Sequence, residues 1–178
     1  MKILDRLPIP EHESIVYVGE ERIRVRASQL IVWMSITLRN VDGLADHVPR
    51  FPVILDTGHS HYFAIQEQHL TRWAGFRRGQ LSIQRYIRHL GQRLPLLGAK
   101  LWLHSNRTGT TECSEKYRQM ESMPGIALFP NSGNFPRLPL LGLRAVTVNH
   151  FYLSLDGEQL SLTMRSPDWR SRILRLLR

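Results

Sequence analysis

The sequence contains one cysteine in 178 residues, so no internal disulfide can brace the fold. That suits a reducing compartment, and the chain reads as cytoplasmic. The cysteine, Cys113, stands between Glu112 and Glu115 without a basic neighbour, which argues against a catalytic thiol. No apolar run approaches the roughly 20 residues of a helical membrane span. Residues 1–6 also lack the apolar core of a signal peptide. Acids are sparse: between Glu67 and Glu112 there is none, while Arg72, Arg77, Arg78, Arg85, Arg88, Arg93, Lys100 and Arg107 all fall there. No helix-turn-helix, zinc-finger or RNA-recognition pattern accompanies that charge, so it reads as a solvated basic face and nucleic acid is not the expected partner.

The composition, 42% hydrophobic and 22% charged, is that of one globular domain with a real core. Its periodicity is mainly that of strands. Residues 15–18 and 23–26 flank Gly19-Glu20 as a hairpin, and residues 30–38 form a longer apolar strand. Strands are expected over 51–55, 61–65, 81–87, 100–104 and 125–129, with a short helix over 66–73 stopping before Gly75. Residues 151–155 and 159–164 flank Asp156-Gly157 as a second hairpin. At the end, Ser166 and Pro167 suit a helix start, and Trp169, Ile173, Leu176 and Leu177 alternate with arginines as a basic amphipathic helix. The expected organisation is an N-terminal segment over 1–29, a main domain over 30–164 and that helix over 165–178.

The most informative stretch runs Val53-Ile54-Leu55-Asp56-Thr57-Gly58-His59-Ser60. It sets one carboxylate at the end of an apolar strand, on a turn whose backbone N–H groups can hold it still. Farther along, Leu138-Pro139-Leu140-Leu141-Gly142-Leu143 places two large aliphatics and a glycine before a short helix. Together, in this order, the two segments resemble the signatures of the retropepsin-like aspartic proteases. The resemblance spans residues 30–164. It implies an all-β fold, a closed β-barrel of the acid-protease half type, with one or two short helices and the C-terminal amphipathic helix added. It implies Asp56 as the catalytic residue, supported by Thr57, Gly58, His59 and Ser60, with Leu140, Leu141 and Gly142 packed beside that loop. Thr57 is then the residue that reaches across a two-fold axis to the partner loop.

Such a site activates water between two carboxylates that share a proton, one acting as base and the other as acid. It needs neither cofactor nor metal. Of the six aspartates, Asp5, Asp42, Asp46, Asp56, Asp156 and Asp168, only Asp56 stands in the motif. One chain therefore supplies half a site, and a homodimer acting on a peptide or protein substrate is expected. The hairpin that closes over substrate is expected in the polar excursion of the stretch opened by Lys100 and closed by Phe129. His59 departs from the small residue the family places there: protonated, it would favour an ionised aspartate; neutral and turned outward, it would fill space.

Other chemistries fit less well. Gly58-His59-Ser60-His61-Tyr62 resembles a serine-hydrolase elbow but ends in tyrosine where glycine is required. His59 and His61 share a strand face, yet no further ligand stands at a metal-site spacing. A catalytically inactive relative that binds peptides, or a basic nucleic-acid-binding module, is the alternative class.

Overall fold

The computed structural model describes residues 1–121, 123–131 and 138–167. Where the sequence alternates or runs apolar, it forms strands. The chain begins with β1 (Lys2–Pro8), followed by the hairpin of β2 (Ser14–Val18) and β3 (Glu21–Val25). Next come β4 (Leu30–Thr37), β5 (Phe51–Asp56), β6 (Phe63–Gln66) and the helix α1 (Glu67–Arg72). The middle of the chain supplies β7 (Ile83–His89), β8 (Gln92–Leu97), β9 (Lys100–Asn106), β10 (Cys113–Met120) and β11 (Ile126–Phe129). The last elements are β12 (Leu140–Gly142), α2 (Leu143–Val148), β13 (Tyr152–Asp156) and β14 (Ser161–Arg165).

Nine strands form one sheet in the order β10-β9-β4-β5-β12-β6-β11-β8-β7. The fold is mostly β, as expected. The closed barrel is not found among the described residues: β10 and β7 are the two edges of the large sheet, each paired on one side only. β5 occupies the middle, and its first five residues are all buried, the pattern of a strand covered on both faces. β4 beside it, and β9 on the far side of β4, bury Met34, Ile36, Leu101 and Leu103 into the same core. Each such fully buried aliphatic contributes about 1.5–3 kcal/mol of transfer free energy.

One buried polar pair pins β4 to β9. Ser35 donates its hydroxyl hydrogen to the Pro49 carbonyl at 2.8 Å and lies 2.9 Å from His104 Nε2. Since the hydroxyl has one hydrogen, Nε2 carries the proton and donates to Ser35, and buried Nδ1 is left without a partner.

β1 pairs with β14, and β14 with β13, in a separate three-stranded sheet. Residues 2–8, which the sequence grouped with an N-terminal segment, thus deliver Ile3, Leu4 and Leu7 to the main core cluster. The C-terminal helix falls, from residue 168 onward, outside the described residues. No helix among the described residues is long and apolar enough to cross a membrane.

Candidate active site

The site is built where β12 threads between the two strands that the Asp56 turn connects. β12 runs parallel to β5, with Leu140 opposite Ile54, Leu141 opposite Leu55 and Gly142 opposite Asp56. It runs antiparallel to β6, with Leu140 opposite Ala64 and Leu141 opposite Phe63. The Ile54 amide donates to the Pro139 carbonyl at 2.9 Å, and the Gly142 amide donates to the Tyr62 carbonyl at 3.0 Å. Two segments about eighty residues apart are thereby hydrogen-bonded through one turn.

Gly142 is a glycine for want of room. A Cβ there would lie 2.0 Å from the His61 carbonyl oxygen and 2.9 Å from that of His59. Any side chain would push the turn away from the strand. Directly after Gly142 the chain enters α2, whose Ala145 and Val146 are buried beneath the sheet.

Asp56 is half-buried at the end of β5. Its Oδ1 accepts a hydrogen bond from the Gly58 amide at 2.9 Å, and the His59 amide donates to the Asp56 carbonyl at 3.3 Å. The carboxylate is fixed by its own turn while remaining open on the other side. Thr57, Gly58 and Ser60 are exposed. The other described aspartates at polar contacts are engaged elsewhere: Asp5 with Lys2 and Thr108, Asp42 with Lys100, and Asp156 with the amides of its own hairpin turn. Asp168 lies outside the described residues.

His59 is half-buried, with its Nε2 buried and unpartnered. Burial above all, then the neighbouring His61 and His89, push its pKa down to about 4 against the opposing pull of Asp56. The imidazole is therefore neutral at neutral pH. His61 is lowered as well, by burial first, then by His89 and Arg144. Among the described residues no group of three or more His, Cys, Asp or Glu has the arrangement of a metal site.

The hairpin nearest this turn is not the one expected. The stretch between Lys100 and Phe129 does contain a hairpin, β9–β10, but two strands, β4 and β9, separate β10 from β5. Its turn packs on β1 instead: Asn106 exchanges hydrogen bonds with the Asp5 backbone, and the Gly109 amide donates to the Asp5 carbonyl at 3.0 Å. It is the β7–β8 hairpin that reaches the Asp56 turn, where His89 Nδ1 lies 3.0 Å from His61 Nε2. Strand alternation gives this hairpin two faces. Ile87 and Leu94 pack inward with Ala64, Leu96, Ala127 and Phe129. Outward, Arg93 lies 3.9 Å over the Tyr86 ring, and Arg88 stands opposite Arg93. Two of the eight basic residues of the acid-free stretch, Arg88 and Arg93, therefore lie on the outward face of this hairpin.

Between hairpin and turn lies a cleft of about 120 Å³, open to solvent, with His59, Ala64, Ile65, His89, Phe129 and Leu140 among its lining residues. Its walls are mostly apolar, and its polar lining is the imidazoles of His59 and His89 with Gln66.

The sequence reading missed His89 and this hairpin. The signal was Leu90-Gly91 between two strand-like arms: both residues have positive φ, +46° and +79°, as a two-residue type I′ turn requires. Leucine at the first position disguised it.

Protein-family models, curated proteins and solved structures yield no match to this chain.

Proposed function

We propose that this protein is an aspartic-type endopeptidase of the retropepsin-like kind, in which Asp56 from two copies of the chain forms the catalytic dyad. The observation that carries the reading is the pairing of Gly142 with Asp56. A strand inserted between the two arms of a turn fixes the carboxylate at the end of β5 and leaves its outer side free for a second carboxylate. Two such groups about 3 Å apart cannot both ionise easily. The pair holds one proton, the ionised member takes a proton from water, and the protonated member donates to the scissile carbonyl oxygen. The water oxygen bonds to the carbonyl carbon, and collapse of the tetrahedral intermediate releases the amine after it gains a proton. The dyad titrates as a unit, without separate values for its members.

The β7–β8 hairpin takes the closing role. An extended peptide lying between it and the Asp56 turns would present alternate side chains to pockets such as the apolar cleft at His59. Thr57, exposed beside Asp56, is available to the partner's turn.

Replacement of Asp56 by Asn tests this. Cleavage of a mixed peptide library should fall by about 10²–10⁴-fold, the contribution typical of a positioned acid–base group. The variant should sediment as a dimer like the parent. Undiminished cleavage by Asp56→Asn, or cleavage by a strictly monomeric chain, refutes the dyad.

A further inference from the structure

The tip of the β7–β8 hairpin is exposed, with Leu90 90% accessible. Gly91, Gln92 and Arg93 are exposed as well. The hairpin's base is tied down by the Gly98 amide on the Ser82 carbonyl at 2.8 Å and by Arg39 on Gln84 at 3.0 Å. Halfway along, Ile87 and Leu94 hold the inner face through apolar packing. Toward the tip, one hydrogen bond among the described residues joins the hairpin to the Asp56 turn, the 3.0 Å contact between His89 Nδ1 and His61 Nε2. The rings lie 5.0 Å apart, and both pack against Phe129, at 5.1 Å for His89 and 6.0 Å for His61.

We propose that His61 and His89 are positioning residues that latch the β7–β8 hairpin onto the turn carrying Asp56, and that protonation of both rings releases it. The effect on proteolysis rests on the reading of Asp56 as catalytic; the latch itself does not.

The logic is one of donors and acceptors. Two neutral imidazoles make one hydrogen bond, the N–H of one donating to the bare nitrogen of the other. A single added proton leaves an acceptor, and the bond survives. A second removes it: two N–H groups and two positive charges then face each other across 3.0 Å. The surroundings do not compensate. His61 is faced from its own turn by His59, at 5.4 Å between rings, from α2 by Arg144, and from β11 by the uncharged Phe129. On the hairpin, Arg88 and Arg93 add positive charge along the strand arms. The turn's one carboxylate, Asp56, is turned to the Gly58 amide. Burial first, then His89 and Arg144, lower the pKa of His61, so release falls on the acid side of about pH 6.5, the ordinary imidazole value.

The test reads the tip directly. Full-length protein carrying Leu90→Cys and Cys113→Ser is spin-labelled at the tip, and its mobile fraction is measured between pH 8 and pH 5 without substrate. Breaking a single hydrogen bond shifts such an equilibrium about five-fold, so the mobile-to-docked ratio should rise about five-fold or more on acidification. His89→Gln, which can still hydrogen-bond but does not titrate, should stay docked at both pH values. His89→Ala should be mobile at both. A parent signal that ignores pH, or a His89→Gln protein that titrates like the parent, overturns the latch. Far-UV circular dichroism on each variant separates release from unfolding. Because no substrate is present, loss of the Asp56 reading leaves this result standing, and a pH-insensitive tip in an active peptidase sinks the latch alone.

Discussion

Adding a single methyl group at Gly142 should dismantle the candidate site from the backbone outward. The Cβ of Gly142→Ala would lie 2.0 Å from the His61 carbonyl oxygen, where ordinary contact begins at 3.4 Å. The obstacle is main chain on both sides, so no side-chain rotation relieves it. β12 and the turn must part by well over an ångström, which stretches the 3.0 Å bond from the Gly142 amide to the Tyr62 carbonyl beyond use. Overpacking of this kind costs about 1–3 kcal/mol, and each lost ladder bond about 1 kcal/mol more. A total of about 2–4 kcal/mol follows, which for a domain of this size lowers Tm by roughly 10 °C. Guanidinium unfolding followed by tryptophan fluorescence gives the free energy, provided the slope m matches that of the parent. Gly58→Ala serves as the control: its Cβ would meet Asp56 Oδ1 at 3.4 Å, an ordinary contact. It should cost less than about 1 kcal/mol. Should Gly142→Ala unfold within about 1 kcal/mol of the parent, or Gly58→Ala prove the more damaging of the two, the close approach of β12 to the turn is not what holds the site.

Other perturbations test separate parts of the structure. Leu90 sits at φ +46° on an exposed tip, a left-handed conformation that costs an ordinary side chain about 1–2 kcal/mol. Leu90→Asn should therefore raise the unfolding free energy by about 0.5–1 kcal/mol in the same titration, and a loss of stability would contradict the turn assignment. Buried His104 has its pKa pushed down to about 4, by burial first and by Arg50 second. The unfolded chain binds that proton below about pH 6.5 while the folded chain refuses it, so stability is unaffected above that pH and declines as pH falls toward 4. The ceiling is about 3 kcal/mol. His104→Leu should flatten the decline between pH 6.5 and 4 in urea titrations; an unchanged slope would place the acid sensitivity elsewhere.

Much of the strand content was legible because local pattern and tertiary role agree. Residues 30–38, 51–55 and 125–129 are apolar runs that became β4, β5 and β11, buried in the sheet. Gly19-Glu20 and Asp156-Gly157 became hairpin turns of two and four residues. The failures have physical causes. β8, for which no strand was expected, contains Pro95, a residue that removes a ladder donor; β11 pairs with Leu96 and Leu97, so the missing amide of Pro95 faces no partner there. β10 reads as polar because it is an edge strand, with Glu115, Lys116 and Tyr117 turned to solvent. β1 has three buried residues whose spacing is disturbed by register shifts against β14, and so it shows no clean alternation. At the site, Asp56, Gly58 and Gly142 could be picked out because turn and close-approach glycines leave local marks. His89 could not, since its importance comes from a contact with His61 across twenty-eight positions.

The threading of β12 also sets an order of events for a chain made from its N-terminus. The turn bearing Asp56 is complete in sequence by residue 66, yet its parallel partner is the three-residue strand Leu140–Gly142. Until that strand is synthesised, β5 and β6 lack the segment that lies between them, and Asp56 hangs on an unsupported loop. Such long-range pairing is slow to form and is made late. The carboxylate is thus withheld from its final position until nearly the whole domain exists. A nascent chain arrested before residue 138 should carry every residue of the Asp56 motif and none of its geometry.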